Sequence, residues 1–197
     1  MNKINKIYKK NVFSQICNNN SRYAKRFCYS SLGCDGVKAF IEPTKLLLEE
    51  ARKHNVYVIF FNDSHLKWVD KELKLWGDHA IRGKKGAEVI QELQIREKDF
   101  YNSLILKRRY SSFFKTDLDL LLKELGVDTV IITGLNIHMC YRHFSADAYQ
   151  NNNDIIFAKE VTNLFTVEDY LFGLQYAKEV YGAPSLSNKE LFELFSK

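Results

Sequence analysis

The chain has 197 residues, 46% hydrophobic and 27% charged, with a formal net charge of +5. That is an ordinary globular balance, and the length fits a single domain with one sizeable core. No apolar run approaches the roughly eighteen residues of a membrane helix, and the cysteines at 17, 28, 34 and 140 form neither a C-x-x-C pair nor a dense framework. A soluble, reduced, cytoplasmic protein is expected.

The first 34 residues carry seven basic side chains (Lys3, Lys6, Lys9, Lys10, Arg22, Lys25 and Arg26), and no acid precedes Asp35. The segment lacks an amphipathic repeat, an arginine bias or regularly spaced aromatics, so a solvated terminus is favoured over an arm for nucleic acid or membrane. Neither partner is expected. A parallel sheet normally opens with an apolar strand, yet Ser14 to Arg26 reads SQICNNNSRYAKR, which is poor strand material. Residues 1–26 therefore read as an atypical basic segment ahead of one domain, 27–197.

Downstream, apolar residues at helical spacing predict a helix over Glu42 to Lys53, with Pro43 near its start. Val56 to Asn62 (VYVIFFN) is a run of β-branched and aromatic residues suited to a strand covered on both faces. Ser103 to Lys107 reads as a short strand, Thr116 to Leu125 as a helix closed by Gly126, and Asp128 to Thr133 as a strand. A helix from about Met139 to Gln150, a strand at Asp154 to Ala158, and helices at Val167 to Val180 and Lys189 to Phe195 complete the series. This alternation predicts a single-domain, three-layer α/β/α fold around a parallel sheet of about six strands.

The stretch TGLNIHMCYRHFSADAY, Thr133 to Tyr149, runs from the end of a strand into a helix and puts Cys140 at the helix N-terminus. Backbone N–H groups and the macrodipole there favour a thiolate, and Gly134 supports the sharp turn. On spacing alone, a small buried thiol is an equal alternative. Lys107 ends a predicted strand, where open α/β sheets place their sites; by composition alone it is one of a solvated run with Arg108 and Arg109. Asp63, His65 and His79 offer a carboxylate and two imidazoles, a set suited to zinc or a similar ion, although such residues are common on surfaces. Trp76 and Trp68 suit a pocket wall or a core equally.

Three ordered segments resemble the isochorismatase-like cysteine hydrolases. Thr133 to Tyr149 is similar to the family's cysteine signature at Gly134, Cys140, Arg142, Asp147 and Ala148. LKRRYSSFFKTDLD, residues 106–119, resembles the segment whose leading lysine belongs to the catalytic triad, which corresponds to Lys107. Phe61 to Leu93 resembles a strand followed by D-x-H and W-G-x-H-A. Ile137, Lys84 and Phe144 depart from the usual residues, which bears on the substrate more than on the fold.

The resemblance implies an isochorismatase-like, Rossmann-like fold and hydrolysis of an amide-type C–N bond in a small molecule through a thioester. Cys140 would be the nucleophile, Lys107 its cationic partner, and the backbone N–H groups of Asn136 and Cys140 the oxyanion hole. Phe27 and Trp76 would line the substrate pocket. No cofactor would be required, or zinc or another divalent ion would sit at Asp63, His65 and His79, as in the nicotinamidase branch. A homo-oligomer is expected by the same resemblance. A catalytically inactive scaffold of the same fold is the alternative.

That alternative arises because the family's third triad member is an aspartate ending the first strand, and aligning the motif on Phe27 puts Arg22 at its position. Arginine cannot accept a proton, and losing a positioned base costs on the order of a hundredfold to ten-thousandfold in rate. Back-translated with AT-rich codons and read one nucleotide out of frame, Ser14 to Arg26 becomes V-K-Y-V-I-I-I-A-D-M-Q-N-D, with its first aspartate at position 22. A pair of compensating frameshifts across the first strand is the implied explanation.

Overall fold

In a computed structural model, residues 10–15, 33–93, 103–135, 137–163 and 167–196 are described. The elements run β1 (Lys10–Gln15), α1 (Gly33–Lys53), β2 (Tyr57–Asp63), α2 (Glu72–Trp76), β3 (Ser103–Lys107), α3 (Leu118–Glu124) and β4 (Thr129–Leu135). A π-turn (Ile137–Tyr141) leads into α4 (Arg142–Gln150), followed by β5 (Asp154–Asn163), α5 (Val167–Tyr181), β6 (Ser185–Leu186) and α6 (Asn188–Phe195). Among the described residues the strands form one parallel sheet in the order β3-β2-β1-β4-β5-β6.

Strands β2 and β4 are buried on both faces, which is why they read as apolar runs rather than alternating ones. In β2, Ile59 and Phe61 enter one core layer with Leu118, Leu122 and Phe144, while Val58 and Phe60 enter the other with Leu47, Leu48 and Leu191. In β4 the same period-two split sends Val130 and Ile132 to the first layer and Ile131 to the second.

Three differences from the sequence reading have local causes. The opening strand is Lys10–Gln15, which takes in only the first two residues of the polar stretch, so part of the basic N-terminal segment lies inside the sheet, paired with β2 and β4. Helix α1 begins at Gly33 and carries Pro43 in its interior. Next to it the Thr44 hydroxyl donates to the Phe40 carbonyl at 2.6 Å, and the Pro43 carbonyl accepts from Asn188 Nδ2 at 3.0 Å, which ties this part of the helix to the start of α6. Strand β5 continues to Asn163 after a register shift, so that Gly134 and Leu135 pair with Thr162 and Asn163.

The strand order reverses between β1 and β4. In open α/β sheets the crevice outside the strand C-termini at such a reversal is where ligands bind. The β2, β3 and β4 C-termini all open onto this end, carrying Asp63, Lys107 and the cysteine turn.

Candidate active site

Strand register brings the first two site residues together. Asp63 and Lys107 are Cα partners at the C-terminal ends of β2 and β3, and the Ser64 N–H donates to the Lys107 carbonyl at 2.8 Å. Lys107 is 0% exposed, an environment a lysine tolerates only when its ammonium is paired. Its Nζ donates to Asp63 Oδ1 in a short ion pair, to the Arg109 carbonyl at 3.2 Å and to Cys140 Sγ at 3.7 Å. Carboxylate, carbonyl and sulfur match the three donors of an ammonium group.

Cys140 reaches this point through the turn after β4. Gly134 has φ of 112°, a conformation that costs a side-chain-bearing residue dearly, and the chain then passes through the π-turn into α4. Tyr141, 0% exposed, donates its hydroxyl to the Thr133 carbonyl and ties the turn back to the strand. Phe144, one of the departures from the family pattern, is fully buried and stacks on Phe61 at 5.5 Å and against Phe113 at 5.0 Å, so it anchors α4 to the core. Cys140 itself is buried, and burial pushes its thiol up to about 11, against the opposing pull of Lys107. The sulfur is therefore a thiol at rest, whereas the helix-terminus argument from sequence favoured the thiolate.

A second cluster stands beside the first. His65 is bracketed by the segment around Ala80: its N–H donates to the Ala80 carbonyl at 2.9 Å and its carbonyl accepts from Arg82 N–H at 2.9 Å. This bridge puts the two imidazoles edge to face, with centroids 4.6 Å apart. Glu72, from α2, places Oε1 3.7 Å from His65 Nε2 and 3.8 Å from His79 Nε2. Each ring directs its other nitrogen at an oxygen: His79 Nδ1 donates to the Gly77 carbonyl at 2.8 Å, and His65 Nδ1 faces Asp70 Oδ2 at 3.3 Å.

With its Nδ1 engaged, neutral His65 presents the Nε2 lone pair toward Glu72, and that nitrogen is buried without a hydrogen-bond partner. Burial holds the His65 pKa below its ordinary value; for His79, burial is outweighed by Glu72 and the Gly77 carbonyl, which raise it. An orphaned imidazole nitrogen, a second imidazole and a carboxylate, with donor atoms within 4.8 Å of one another, fit a zinc-type ion.

The sequence reading grouped Asp63 with the two histidines; in the structure its Oδ1 is on Lys107, and Glu72 stands between the imidazoles. Glu72 went unread because it lies on a five-residue helix that no periodicity marks, although a carboxylate midway between the two histidines was a usable signal. Trp76 is half-buried and donates Nε1 to the Tyr110 hydroxyl at 3.0 Å, while Trp68 is 89% exposed. Phe27, Arg22 and Asn136 lie outside the described residues. A cavity of about 500 Å³ adjoins the histidine cluster, walled by Glu72, Arg109, Tyr110, Phe114 and His143; neither Lys107 nor Cys140 lines it. Among the described residues, no helix is long and apolar enough to cross a membrane.

Known proteins share this architecture. The Isochorismatase domain model matches residues 23–189. An uncharacterized isochorismatase family protein of Bacillus subtilis, YwoC, is 29% identical over 138 residues, covering 67% of this chain and 71% of that protein. The N-carbamoylsarcosine amidase of Thermoplasma acidophilum superposes with a TM-score of 0.75 at 28% identity, covering 91% of this chain and 95% of its own. The pyrazinamidase/nicotinamidase of Streptococcus mutans gives 0.73 at 27% identity, over 90% and 99%.

Proposed function

The chain belongs to the isochorismatase family, and from that membership we propose that it is a cysteine hydrolase cleaving the C–N bond of a small amide-type substrate. The observation that carries this reading is the buried Lys107 ammonium held by Asp63 with its Nζ 3.7 Å from Cys140 Sγ, at the switch-point end of the sheet. A fully buried lysine beside a buried thiol is costly as mere packing. The structural likeness to an N-carbamoylsarcosine amidase and a nicotinamidase supports the substrate class.

In the proposed reaction, Cys140 Sγ attacks the amide carbon and the carbonyl electrons move to oxygen, where the N–H of Cys140 and, by sequence, of Asn136 receive them. Lys107 passes a proton to the leaving nitrogen and recovers one from the thiol, so the exchange is neutral overall. Collapse of the adduct breaks the C–N bond, frees ammonia or an amine and leaves a thioester. Water then attacks the thioester, giving the acid and restoring the thiol. Asp63 holds the Lys107 side chain in place through these steps.

His65, Glu72 and His79 would hold a zinc-type ion next to this centre. When bound, such an ion supplies a Lewis acid that fixes and polarises a ligand. The protein's own part is to present two lone pairs and a carboxylate from elements already locked by backbone hydrogen bonds.

The test is release of ammonia from a panel of small amides, including nicotinamide and N-carbamoyl amino acids, by the purified protein and by Cys140→Ala. Turnover that disappears in the variant is expected. No turnover on any amide would overturn the hydrolase reading in favour of an inactive scaffold.

A further inference from the structure

Asp70 belongs to neither cluster, yet it is 2% exposed and its carboxylate gathers donors from three directions. The Leu66 N–H donates to Oδ2 at 2.8 Å, and His65 Nδ1 lies 3.3 Å from the same oxygen. Arg108 closes on it with Nε at 2.9 Å from Oδ1 and 3.1 Å from Oδ2, and with a short Nη2 contact to Oδ1. Arg109 Nη1 is 3.7 Å from Oδ1.

Two features make this more than a buried ion pair. The 66–70 segment is folded back on itself, with Val69 and Asp70 N–H groups both donating to the Leu66 carbonyl and Trp68 at a φ of 69°, which returns the Asp70 carboxylate to His65 Nδ1. Arg108 directly follows Lys107, so the end of one strand serves both clusters: Lys107 turns to Asp63 and Cys140, and Arg108 turns to Asp70.

We propose that Asp70, clamped by Arg108, is the positioning residue that holds His65 as the Nδ1–H tautomer, with its Nε2 lone pair preset toward Glu72 and His79 for a divalent transition-metal ion. The inference rests on reading His65, Glu72 and His79 as a metal site. A carboxylate accepts only, so the proton of a neutral His65 must sit on Nδ1 and the lone pair on Nε2. His65 Nε2, buried with no hydrogen-bond partner among the described residues, would then be the atom that takes the ion. Carboxylates placed behind metal-bound imidazoles in this manner typically contribute ten- to a hundredfold in metal affinity.

Replacing the acid by its amide reverses this logic. In Asp70→Asn one oxygen is left for the donors that two oxygens served; with that oxygen held by Arg108, the amide nitrogen takes the place of Oδ2, the Leu66 N–H loses its acceptor and His65 Nδ1 faces a donor. The ring proton moves to Nε2, where it blocks the site.

Apo wild type and Asp70→Asn are compared by long-range 1H–15N NMR of His65 and by Co2+ and Zn2+ affinity in chelator competition. The expected result is Nδ1–H in wild type, Nε2–H in the variant, and metal affinity about ten- to a hundredfold weaker. A folded variant with unchanged tautomer and affinity overturns the role of Asp70 while the metal site stands. A wild type that binds neither ion overturns the metal reading and this inference with it. Should Asp70→Asn not fold, Arg108→Gln, altered at a partly exposed side chain, carries the test: weaker metal binding supports the clamp, and unchanged binding overturns it.

Discussion

The ammonium of Lys107 lies 3.7 Å from the sulfur of Cys140, although the two residues are 33 positions apart and the lysine is wholly shielded from solvent. Lys107 is the main influence drawing the Cys140 thiol down against burial. In Lys107→Met that pull is gone and thiolate becomes scarcer. Alkylation of Cys140 at pH 8 is expected to slow about tenfold or more, since one pKa unit is a tenfold change in thiolate fraction. Equal alkylation rates in the two proteins would contradict the contact.

The pH profile of the same reaction has a definite shape. A thiol raised to about 11 is protonated at neutral pH, and only its thiolate reacts. The alkylation rate of Cys140, followed by peptide mass, should climb about tenfold per pH unit past 9 and level near 11. In the unfolded chain it should level near about 8.5, the free-cysteine value. A plateau at neutral pH in the folded protein would mean that burial does not dominate.

Phe144 links the chemistry to the core. It is fully buried between Phe61 and Phe113, one helical turn beyond Cys140. Phe144→Ala removes both ring contacts and leaves a cavity, which typically costs about 3–5 kcal/mol. Urea unfolding measures this directly; a loss below about 1 kcal/mol would show that α4 is held mainly by other contacts.

Much of the fold was legible because its signals are local. Ser103 to Lys107 has the predicted bounds, and the VYVIFFN strand is displaced by one residue, since apolar runs buried on both faces mark themselves. Helix α1 was read short because Pro43 signals a start in sequence, while in three dimensions the helix runs through it from Gly33. The site was partly legible: the family resemblance singled out Cys140 and Lys107, which spacing and composition alone did not, but strand register decides that Asp63 meets Lys107. Glu72 and Asp70 escaped notice because they sit on a short helix and a folded-back loop, where contacts between distant residues set the geometry.

The opening strand is the part the sequence reading could not place, and the gene answers it. Across codons 14–26 the frameshift account expects nucleotides compatible with V-K-Y-V-I-I-I-A-D-M-Q-N-D one base out of frame, with an aspartate codon at position 22. Codons incompatible with that reading would end it. The acid-free sequence before Asp35 would then be native to the protein, and Asp63 the carboxylate serving Lys107.

The central claim, that Cys140 forms and loses a bond to an acyl carbon, is tested most directly by acid-quenching the protein within seconds of mixing with amide substrates and weighing its peptides. The expected result is an acyl mass on the peptide holding Cys140, appearing together with free ammonia and absent from Cys140→Ala. Ammonia released equally fast by Cys140→Ala would contradict the account.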